Sequence, residues 1–189
     1  LFYFLTFMSG ARRQIFLAFA VFLLVERFEF TIQEITILFV VNNIIRYFLA
    51  PLIGRAIVRH GERWVLSVEY FGLLFVFVAY AFTDSKLLVV ALYLLDHIFF
   101  NFAIAIRTFF QKVADPRDIA PSMAVGFTIN HIAAVVIPVS FGLLWLVSPA
   151  AVFLAGAGMA ALSAILASMV PANPAPGSET VLVPAPETA

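Results

Sequence analysis

Six long apolar runs, separated by short turns that hold most of the charge, constrain this chain more than any other feature. They extend from about Leu1 to Val25, Ile32 to Ile57, Trp64 to Phe82, Leu87 to Phe110, Ile119 to Val147 and Ala150 to Val170. A helix needs about 20 residues to cross the hydrocarbon core of a bilayer, and each run supplies that length. In hydrocarbon every backbone amide must bond within its own helix or in a closed barrel, and runs this continuous favour helices. Short connections make neighbouring helices antiparallel. The expected fold class is therefore an all-α integral membrane protein, a bundle of six transmembrane helices over residues 1–170. Beyond Val170 the segment PANPAPGSETVLVPAPETA is rich in Pro and Ala and lacks periodicity, so residues 171–189 read as a disordered cytoplasmic tail.

Composition agrees with a lipid bilayer as the principal partner. Apolar residues make up 63% of the chain and charged residues 12%, against about half and a quarter in soluble domains. A formal net charge of zero leaves no basic surface for nucleic acid. The absence of Cys excludes disulfides, thiolate metal sites and a cysteine nucleophile, and no cofactor or metal is expected. The opening run begins at Leu1 without the basic flank and small-residue cleavage site of a signal peptide, which leads us to expect further chain upstream. Basic residues orient the bundle: Arg55, Arg59 and Arg63 follow the second run and Lys112 and Arg117 the fourth, so these turns and both termini of the chain are expected on the cytoplasmic side.

An ionisable side chain at mid-membrane costs roughly 2.5 to 3.5 kcal/mol, so each one needs a partner or a watery cavity. Arg12, Arg13 and Gln14 fall at the centre of the first run, and Thr6, Ser9, Gly10 and Arg13 share one helical stripe. In the second run Asn42 and Arg46 lie four apart, with Asn43 beside them. The fourth run carries Asp96, His97 and Asn101. Asp96, with His97, is the candidate for proton coupling, although an ion pair with Arg12, Arg13 or Arg46 would explain the same carboxyl. His131 stands mid-run in the fifth, where a neutral imidazole would bond substrate or serve as a satisfied core residue. Pro138 in that run marks a potential bend, and the small residues of AGAGMAALSAILAS suit close helix packing.

The turn between the second and third runs reads GRAIVRHGER and resembles the major facilitator signature Gly-x-x-x-Asp-Arg-x-Gly-Arg-Arg, with matches at Gly54, Arg59, Gly61 and Arg63. Val58 stands in place of the signature Asp and Glu62 in place of an Arg, so the acidic group that latches the gate in this family is missing. The stretches SGARRQIF, ADPRDIAPS and INHIAAVVIP look like those of bacterial permeases of the same superfamily. The resemblance implies helices seven to twelve of a twelve-helix transporter in a bacterial inner membrane. It also implies a partner N-terminal half of six helices, and a substrate site near the midplane lined by the first and fourth helices of each half.

Three functional classes compete at this point. Secondary transport of a small solute leads, and an anion is favoured because guanidinium groups in a low-dielectric cavity suit carboxylate or phosphate. On this reading Arg12, Arg13, Gln14, Asn42, Asn43, Arg46 and His131 are the substrate-binding candidates, and Gly54, Arg59, Gly61 and Arg63 form the gating turn. A six-helix scaffold without its own substrate is the alternative, its buried charges being structural ion pairs. A membrane-embedded enzyme is the least supported: only three His are present, without a His-x-x-x-His pair or a Ser nucleophile motif, and no catalytic residue is expected.

Overall fold

The computed structural model describes residues 1–182. They form six helices long and apolar enough to cross a membrane: α1 (Phe2–Glu26), α2 (Ile32–His60), α3 (Glu62–Phe82), α4 (Lys86–Val113), α5 (Pro116–Val147) and α6 (Pro149–Ser168). The helices outlast several of the apolar runs. α2 continues through Arg59 and His60, so most of the signature-like turn is helical, and only Gly61 separates α2 from α3. Gly61 manages this with φ of 81°, a conformation that favours glycine.

Elsewhere the chain stops and restarts through side-chain caps. Thr31 and Glu34 form a reciprocal capping box at the start of α2. Asp115 accepts from the Arg117 amide at 2.8 Å ahead of α5, and Ser148 from the Ala151 amide at 3.3 Å ahead of α6, each followed by Pro at the first helical position. α5 continues through Pro121 and Pro138. The departures from α geometry lie in other helices: a π turn at Ile15–Ala20 within α1 and a 3₁₀ turn at Asn101–Ala103 within α4.

α3 is the hub. Its buried stripe Val65, Leu66, Tyr70, Leu73, Val76, Phe77 and Tyr80 keeps helical spacing and packs chiefly on α6, whose Gly156, Ala157, Ala160 and Ala167 allow the close approach. α1 packs on α5 and α6, and α4 on α3 and α2. The most apolar stretch of α1 is 56% buried, while those of α2, α4 and α5 are only 17%, 22% and 17% buried, so three helices keep most of their residues out of the core.

Two apolar clusters make up the core. One gathers Ile15, Phe16, Leu73, Phe77, Tyr93 and Phe153; the other gathers Leu5, Val65, Tyr70, Ile106, Phe109 and Ala167. Past Ser168 the described chain continues in turns, with Val170 buried and the Val181 amide bonded to the Met169 carbonyl at 2.9 Å. The tail expected to be disordered thus begins within the described residues, and its last part, 183–189, lies outside them.

Candidate functional site

Charged side chains meet at the seam between the two apolar clusters. Arg12 of α1, Glu69 of α3 and Asp96 of α4 each have 0% exposure. Arg12 Nη2 lies 3.7 Å from Glu69 Oε1, and its guanidinium carbon stands 4.3 Å from the centre of the Tyr70 ring, a cation–π geometry. Asp96 lies within electrostatic range of Arg12, and the Tyr80 and Tyr93 phenols within range of Asp96. Asp96 Oδ2 is also 3.4 Å from Nδ1 of the adjacent His97, which sits 2.9 Å from the Tyr93 carbonyl, where a protonated Nδ1 donates.

The irregular turns belong to this seam. In α1 the π turn opens directly after Gln14; in α4 the 3₁₀ turn opens four residues after His97, and Asn101 Nδ2 donates to the His97 carbonyl at 2.6 Å. Such breaks in α geometry often accompany functional sites, because they rotate the side chains on either side out of simple register. Here they adjoin the two helices that bring Arg12 and Asp96 together.

The other candidates divide by exposure. Arg13 is exposed and within electrostatic range of His97, so α1 and α4 present a common polar rim; Gln14 is half-buried beside it. Asn42 is buried, whereas Asn43 is exposed and donates back to the Phe39 carbonyl at 2.8 Å, and Arg46 is exposed. His131 is exposed, with Nδ1 3.0 Å from the Phe127 carbonyl. Among the described residues Asn42, Arg46 and His131 form no ion pair or side-chain hydrogen bond with the buried cluster. Gly54, Arg59 and Arg63 are exposed and Gly61 half-buried.

Glu69 is absent from the sequence-derived candidates, together with Tyr70, Tyr80 and Tyr93. The signal for Glu69 was present: it is the one charged residue between Trp64 and Phe82. The tyrosines carry no such signal, since aromatic residues are routine in apolar helices. A third buried acidic side chain, Glu62, pairs with Lys112 Nζ at 2.7 Å and joins the α2–α3 turn to the end of α4. Ala172, Asn173 and Pro174 line a cleft with Gly61, Glu62 and Lys112, which places the start of the tail beside this pair.

The chemistry available to the seam is electrostatic. One guanidinium, two carboxyls and three phenols can hold or exchange charge, while among the described residues no group of three or more His, Asp or Glu is placed to hold a metal ion. No family model, curated protein or solved structure matches this chain.

Proposed function

We propose that this chain forms one six-helix half of a secondary active transporter of the major facilitator type, carrying a small anionic solute by alternating access with ion coupling. The observation that carries the reading is the exposure of Arg13 and Arg46 far from the ends of helices built to cross a membrane. A guanidinium at that depth does not face lipid; it faces a watery cavity or a second protein unit. The sparsely buried helices α2, α4 and α5 leave surface available for such a contact. The signature-like turn at Gly54, Arg59, Gly61 and Arg63 agrees with this plan. The buried Asp96, reached through the half-buried His97, is the coupling candidate.

Uptake of labelled mono- and dicarboxylates and phosphate into proteoliposomes tests the reading. A charge-assisted contact contributes about 1.5–3 kcal/mol, so Arg13→Ala is expected to weaken substrate binding roughly tenfold or more. Unchanged uptake would remove Arg13 from the substrate path. Asp96→Asn is expected to keep substrate counterflow and to lose uphill uptake; unchanged uphill uptake would end the coupling role.

A further inference from the structure

The seam between the two apolar clusters is unbalanced in charge. Arg12 supplies one positive charge against the two carboxyls of Glu69 and Asp96, and all three side chains are fully buried. The ionisable groups facing them are Tyr70 and Tyr80 from α3, Tyr93 and His97 from α4, and Arg13 at the rim of α1. The remaining helices bring no further buried ionisable group among the described residues, and Glu62, at the far turn, already has Lys112. A buried carboxylate without its own counter-charge is costly and is relieved by taking up a proton.

A second observation comes from the hydroxyls. The Tyr80 and Tyr93 phenols are 1% exposed, lie within range of Asp96, and have no hydrogen-bond partner among the described residues; the same is true of both Asp96 oxygens. With no hydrogen bond committed to either oxygen, no protein donor or acceptor fixes Asp96 in one protonation state.

We propose that Glu69 and Asp96 share a single exchangeable proton, with Arg12 as the counter-charge to whichever carboxyl is ionised. With the proton on Asp96, Arg12 pairs with Glu69, the arrangement seen here at 3.7 Å. With the proton on Glu69, Arg12 pairs with Asp96. Both states are neutral overall, and the proton belongs to the pair of carboxyls. Loss of the proton leaves one net negative charge in the seam, which favours opening it to water. His97, whose side chain is 25% exposed beside Asp96, is the route by which the proton enters and leaves. The guanidinium in the same layer opposes occupation by a metal cation. Use of this proton for coupling rests on the transport reading above; its presence in the seam does not.

Infrared spectroscopy of the purified full protein in nanodiscs tests the inference through the carbonyl stretch of a buried protonated carboxyl. The wild type is expected to show this band in sodium-free buffer, with a shift in D₂O. Glu69→Gln and Asp96→Asn, both close in shape to the native residues, are each expected to abolish it, because the remaining carboxyl then stays ionised opposite Arg12. If one variant does not fold, the other and the wild-type spectrum still decide. Absence of the band in the wild type, or its persistence in both variants, would overturn the proposal. So would its appearance only in His97→Gln, which would make His97 the missing cation; its removal by NaCl but not KCl would overturn the exclusion of metal cations from the seam. The predicted band pattern with unchanged uphill uptake in Asp96→Asn would leave the shared proton standing and the coupling role refuted. Uphill transport without the band would refute the shared proton alone.

Discussion

Lys112 and Glu62 show how one residue's exposure sets the cost of removing its partner. Lys112 is about half exposed and would be well solvated alone, whereas Glu62 is fully buried and depends on it. Lys112→Ala therefore leaves a buried carboxylate unpaired, and a loss of about 1–3 kcal/mol is expected in thermal unfolding of the detergent-solubilised protein. Adding Glu62→Gln should recover part of that loss, and a double-mutant cycle gives the coupling directly. Strict additivity would mean that the 2.7 Å pair contributes nothing. At this scale the sequence was readable where charge interrupts an apolar run, as at Arg12 and Asp96. It was not readable as pairing: nothing in the spacing along α1 distinguishes Glu69 from Asp96 as the nearer partner of Arg12, because that depends on how α1, α3 and α4 rotate against one another. Asn42 and Arg46 illustrate the same limit. They lie four apart on α2, yet one is buried and the other exposed.

Among the helices, the contact of α3 with α6 makes the sharpest demand on side-chain size. A methyl group added at Gly156 would meet Phe77 Cδ1 at 2.7 Å, and that ring is fully buried and stacked on Phe16 at 4.3 Å between centroids, so it has little freedom to move. Gly156→Val should destabilise the bundle by about 1–3 kcal/mol or disrupt its packing. Gly158, two residues on, has nothing within 4 Å of the same position, and Gly158→Ala should stabilise the helix by up to about 1 kcal/mol. Thermal unfolding of the two variants side by side checks the contrast; equal effects would mean that α3 and α6 do not approach as closely as described. The existence of all six helices was legible from the apolar runs, since length and continuity leave little else for such segments to form. The π turn in α1 and the 3₁₀ turn in α4 were not. Their stretches, Ile15–Ala20 and Asn101–Ala103, contain no Pro or Gly, while the Pro138 that the sequence offers as a break sits inside a continuous helix.

For the whole molecule, the exposed surface divides into apolar and polar positions, and the chain is suited to testing what each meets. It contains no Cys, so a single introduced thiol reports one position against a silent background. Phe75 and Leu143 are 68% and 67% exposed and have apolar neighbours, the surface a hydrocarbon environment leaves outward. Asn43, Arg46 and His131 are exposed although polar, which is costly against lipid and ordinary against a water-filled cavity. In intact membranes a charged, membrane-impermeant thiol reagent should therefore label Asn43→Cys, Arg46→Cys and His131→Cys far faster than Phe75→Cys or Leu143→Cys. Two further positions test sidedness, because basic residues, expected on the cytoplasmic side, gather at the α2–α3 turn and the start of α5. Asp84→Cys, at the opposite turn, should react from outside the cell, and Arg59→Cys only after permeabilisation. Equal labelling of Phe75→Cys and Arg46→Cys would show that the two faces share one solvent, and with that the cavity on which the transport reading depends would be lost.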